Sequence, residues 1–101
     1  MTQYAAGRRA EWKARDLLKS KGCDVTRSAG SKGLIDLVAL CPRDVVLAQV
    51  KRTKNGAWAD ANWRELEARA RANRYPYARV VAIVYTYGKK EPELYWVGGP
   101  T

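Results

Sequence analysis

The sequence predicts a mixed α/β domain with elements in the order α-β-β-β-α-β-β, a mixed sheet flanked by helices. Three observations carry this. Apolar residues near the N-terminus recur at helical spacing, two nearly continuous apolar runs are separated by a short turn, and a second helical stretch precedes a β-branched run. With 101 residues, 47% of them apolar, the chain can build one core, so residues 1–101 are read as a single domain.

The first helix is expected from Tyr4 to Lys21, with Ala6, Ala10, Ala14, Leu17 and Leu18 on one face and Gly22 as its stop. Residues 23–28 read as extended, and residues 29–33 as a turn of small residues. Residues 34–40, almost all apolar, read as a strand covered on both faces. A short turn at Pro42, Arg43 and Asp44 leads into a second buried strand, residues 45–52, which favours an antiparallel hairpin. The second helix is placed over residues 60–73, with Trp63, Leu66 and Ala70 facing inward and Asn62 with Glu65 as a capping box. Strands over residues 80–87 and 93–97 complete the order.

Nineteen Lys and Arg against ten acidic residues give a formal charge of +9, which favours a polyanionic partner. A basic solubilising surface is the plainer alternative. Histidine is absent, which excludes His-dependent triads and His-metal nucleases. The two cysteines, Cys23 and Cys41, lack the CxxC spacing of a zinc site, and are read as separate core thiols of a reducing cytoplasm. No apolar run approaches the ~18 residues of a membrane span, and no signal-peptide core is present. The expectation is a soluble, intracellular protein without a membrane partner.

Polar residues interrupt the apolar pattern at chosen places. Asp36 stands within an apolar strand, where an unpartnered carboxylate is costly. Gln49 and Lys51 interrupt the next strand and share one face of it. Glu11 borders the apolar stripe of the first helix. Phosphodiester hydrolysis wants such a set. A hard divalent cation takes oxygen ligands from Asp36, Gln49 and the Val50 carbonyl, Lys51 orients or deprotonates water, and Glu11 holds a water of the cation or a second cation. The plainer readings are a buried Asp36–Lys51 ion pair, a solvated Glu11 and a Gln49 that satisfies a backbone group.

Taken together, Gly7 with Glu11, the run Arg27, Ser28, Ala29, Gly30, Ser31, Lys32 and Gly33, then Ile35, Asp36, Leu37, Val38 and Ala39, then Gln49, Val50 and Lys51 resemble the archaeal and phage Holliday junction resolvases of the PD-(D/E)xK nuclease superfamily. The resemblance covers about residues 4–54. It implies a restriction-endonuclease-like core and a Mg²⁺-dependent endonuclease that resolves four-way junctions by paired nicks, with Mn²⁺ as the alternative ion. Related nucleases of flaps, nicks or duplex sites, and a silent nucleic-acid-binding module, are the other readings. It further implies an active site of Glu11, Asp36, Gln49 and Lys51, with Ser31 touching the scissile phosphate. Arg8, Arg9, Arg27, Lys32, Arg52 and Lys54 flank that site as DNA contacts. A symmetric homodimer on branched DNA at the nucleoid follows, in a cell or from a phage, with Trp58, Trp96 and the tyrosines around Tyr85 as interface material. The chain departs from the family at Gln49, where glutamate is usual; an amide offers an oxygen but no charge.

Overall fold

A computed structural model describes residues 3–28, 34–55, 58 and 61–97, without the side chains of residues 3–7. Helix α1 (Gln3–Ser20) is followed by β1 (Asp24–Arg27), β2 (Leu37–Leu40), β3 (Val45–Thr53), α2 (Ala61–Arg71), β4 (Ala78–Thr86) and β5 (Glu93–Val97). The expected order is observed. The five strands lie side by side in sequence order, all neighbours antiparallel except β3 and β4. A parallel pair needs a crossover, and α2 supplies it.

The two helices cover opposite faces. Ala10, Ala14 and Leu18 of α1 pack on Leu37, Ala39, Val46, Ala48, Val81 and Ile83. Trp63 and Leu66 of α2 pack on Leu47, Val80, Ala82, Val84 and Val97. Successive residues of β3 and β4 thus enter different cores, which is why their sequences are continuously apolar instead of alternating. Leu37, Leu66 and Ile83 are fully buried, and each contributes roughly 1.5–3 kcal/mol by leaving water.

Local chemistry sets the helix ends. Gly22 takes φ 89°, its N–H donates to Lys19 and the Cys23 N–H to Leu18. That is the paired closure of a Schellman motif, as expected from Gly22. Helix α2 closes the same way with Asn73 at φ 60°, its N–H reaching Ala70 and that of Arg74 reaching Arg69. The expected capping box is corrected. Asn62 lies inside the first turn of α2, so it is not the cap, and Glu65 instead accepts from Arg69 at 2.6 Å, one turn on. No helix among the described residues is long and apolar enough to cross a membrane.

The reading of the cysteines as separate thiols is also corrected. Cys23 and Cys41 form a disulfide. The β1–β2 register, in which Asp24 faces Leu40, sets them directly opposite one another one step further along, and spacing in sequence carries no sign of that. The bond closes a loop of 18 residues' separation, worth about 3 kcal/mol by chain entropy. Treating the protein with dithiothreitol, or replacing both cysteines by alanine, is expected to lower stability by about that amount. Urea unfolding with and without reductant checks it; coincident midpoints would show that the bond does not hold the fold.

Candidate active site

The residues singled out in the sequence gather where β2 begins and β3 ends. Asp36 stands one position ahead of β2, not inside a strand as expected. Its backbone still joins the neighbours, since its N–H donates to Ala48 and its carbonyl accepts from Ser28. Its carboxylate oxygen Oδ2 accepts the Val50 N–H at 2.8 Å. A side chain thereby takes a backbone donor that a longer ladder would have used, and β2 is short for that reason. The bond also fixes the carboxylate's rotation.

Gln49 is 2% exposed. By alternation with Val45 and Leu47, which pack toward α2, it lies on the α2 face of β3. Its Nε2 donates to the Leu34 carbonyl at 3.1 Å. Turning the amide over would set oxygen against oxygen there, so its orientation is fixed. Its Oε1 is buried and has no hydrogen-bond partner among the described residues. A buried acceptor left unmet costs about 1–3 kcal/mol, and a cation is one group that would meet it. Lys51, half-buried, follows on the same face of β3.

Glu11 comes from α1 on the other face of the sheet. It accepts from Arg27 Nε at 3.0 Å, with the two side chains 22% and 44% exposed. Arg27 pairs in register with Leu37, so this ion pair stands beside the strand step that Asp36 precedes. The structure therefore binds Asp36 to Val50 and Gln49 to Leu34, sets Lys51 along the same strand, and gives Glu11 a cationic partner. Arg9, Arg52 and Lys54 are exposed and Arg8 is half-buried. Ser31 and Lys32 lie outside the described residues. Among the described residues no three His, Cys, Asp or Glu side chains cluster, so a cation here must draw on amide and carbonyl oxygens as well as on Asp36. The donor set, all oxygen, fits a hard ion. Missed in the sequence were the Val50 amide and the Leu34 carbonyl, because backbone groups leave no side-chain signature.

Near this end of the sheet, Tyr85 is packed in the α1-side core. Burial, with Glu91 and Asp16 adding to it, pushes its phenol up to about 12. It stays protonated at any working pH.

The family model for archaeal Holliday junction resolvases matches residues 2–59, more than half of the chain and all of the site. The chain belongs to that family. It is accordingly a DNA endonuclease that resolves four-way junctions. The fold agrees: the Holliday junction resolvase Hjc of the hyperthermophilic archaeon Archaeoglobus fulgidus superposes with a TM-score of 0.67, at 24% identity, over 87% of this chain and 73% of that one. No curated protein matches the chain.

The geometry around Gln49 predicts how the resolvase answers substitution. A glutamate there sets a carboxylate oxygen against the Leu34 carbonyl, losing the donor that holds it. Gln49→Glu is expected to lower metal-free stability by about 1–3 kcal/mol, read by urea unfolding in the presence of a chelator. Unchanged stability would show that the Leu34 bond carries no weight.

Proposed function

We propose that the resolvase cuts with one divalent cation, Mg²⁺ by preference, held by Asp36, the Gln49 Oε1 and the Val50 carbonyl. The observation that carries this is the buried Gln49 Oε1, without a hydrogen-bond partner among the described residues, one residue from the Val50 amide that fixes the Asp36 carboxylate. When bound, the ion neutralises charge on the scissile phosphate and acidifies water.

The chain's own groups do the rest. The Val50 N–H holds one oxygen of Asp36 and so sets the rotation of the carboxylate that would hold the ion. Lys51 sets the attacking water in line and offsets charge that develops on the phosphate oxygens as one P–O ester bond breaks. No histidine is present to manage protons, so Lys51 is the nearest group for that role. Glu11, held by Arg27, orients water at the edge of the site. Ser31 and Lys32 sit in the segment leading to Asp36 and meet the phosphate backbone. Arg8, Arg9, Arg27, Arg52 and Lys54 track the flanking strands. Acting on DNA, the protein works inside the cell, at the nucleoid.

Asp36→Asn keeps an oxygen for the Val50 amide but removes the charge. Labelled four-way junction incubated with Mg²⁺ is expected to show cleavage reduced at least about 100-fold, in line with loss of a catalytic group, with junction binding retained. Lys51→Ala is expected to lose most of the rate as well. Wild-type turnover in the Asp36 variant would remove the carboxylate from the mechanism. Flap and duplex substrates in the same assay report the preferred target.

We also infer a two-fold dimer, because one site per chain makes one nick and a resolved junction needs two. Of the aromatic residues expected at the interface, Tyr85 is in the core and Trp58 stacks between Trp63 and Tyr95 at 5.4 and 5.2 Å. Tyr87 is 74% exposed and remains open to a second copy. Sedimentation at micromolar concentration is expected to show a dimer, and a monomer both alone and on junction DNA would overturn it.

A further inference from the structure

At the end of the sheet opposite Lys51, on the face covered by α1, the fold leaves a cleft of about 370 Å³. It lies between the last turn of α1, the Cys23–Cys41 disulfide, the turn at residues 42–44 and the start of β4. Five residue steps along β3 separate Val46, in its wall, from Lys51, a span of about 17 Å at the strand rise. None of the proposed catalytic residues borders it.

Its chemistry is that of a receptor for anions with an apolar body. Lys21, Arg43 and Arg79 line it, and Asp44 is the one acid among its lining residues. The Arg79 guanidinium lies over the Trp96 ring, 3.9 Å from the centroid. Its Nη1 pairs with Asp44 Oδ2 across 3.6 Å, too long for a hydrogen bond, and its Nε is buried with no hydrogen-bond partner among the described residues. A charged donor is thus held in place by stacking, with hydrogen-bonding capacity unspent. The Leu17, Leu18 and Lys19 carbonyls are already taken by Ser20, Cys23 and Gly22. Leu18, Val46, Pro42 and the half-exposed Trp96 supply apolar wall.

The volume exceeds what a lone phosphate fills and lies at the lower end of small-molecule sites. We propose that this cleft is a second DNA-binding site, which takes one nucleotide unit of a strand. The phosphate sits against Lys21, Arg43 and Arg79, and the sugar or base against Pro42 and Trp96. The inference rests on the chain acting on DNA. It gives the protein a grip on its substrate remote from the cutting site, adding contacts on the side of the sheet where β2 ends.

The test needs no cutting. Isotope-labelled protein without Mg²⁺ is titrated with thymidine 5′-monophosphate and, separately, with inorganic phosphate, while the Arg79 Nε–H and Trp96 Nε1–H resonances are followed. The nucleotide is expected to move both. Movement of Arg79 with both probes but of Trp96 with neither would overturn the nucleotide assignment, and a still Arg79 would overturn the site. Junction binding by the Lys21→Ala/Arg43→Ala double variant is then measured over a range of salt. The slope of log affinity against log salt is expected to be shallower by up to about 1, the change for one phosphate no longer neutralised, and an unchanged slope overturns the proposal. Loss of cleavage in the Asp36 variant is read separately, so failure of one reading does not imply failure of the other.

Discussion

The parallel pairing of β3 with β4 is the constraint from which the rest follows. Nine registered positions, from Val45 opposite Ala78 to Thr53 opposite Thr86, put two strands in the middle of the sheet, where neither has a free edge. A parallel neighbour cannot be reached by a tight turn, so the chain must climb back over one face, and α2 is what it climbs with. The other face then needs its own cover, which α1 supplies. Two cores on two sides of one thin sheet are the outcome.

The site uses that geometry. Asp36 and Gln49 are held by backbone groups, the Val50 amide and the Leu34 carbonyl. Fixing them through main chain ties their positions to the sheet, so little freedom is lost when substrate arrives. Glu11 is different. Its partner is the side chain of Arg27, a pair more exposed and more easily rearranged.

Most of the fold was legible because its strongest signals are periodic. The helical stripe at Ala10, Ala14 and Leu18 and the apolar runs that open β3 and fill β4 each describe faces that must be hidden. The boundaries of β2 were not legible, since nothing in Leu34, Ile35 or Leu37 says that the Asp36 carboxylate takes an amide from the next strand. The cap of α2 was misread for a related reason: Asn62 and Glu65 have the right spacing, but Glu65 has a better partner in Arg69. At the site, Asp36, Gln49 and Lys51 announced themselves as polar residues in apolar company. The disulfide could not, because it depends on β1–β2 register, which is long-range information.

That disulfide also changes what the edge of the sheet can do. Strand β1 has four residues, mostly exposed, and lies at an open edge, where strands detach first. Its first residue follows Cys23, and Cys23 is bonded to the residue after β2. If β1 peels away, it remains a tethered flap whose return is a local, intramolecular event at high effective concentration. Arg27 and the backbone step to Asp36 ride on that flap. The cross-link thus makes departures of the Glu11 partner brief, setting a lifetime for disorder at one side of the site without touching the residues that do the chemistry.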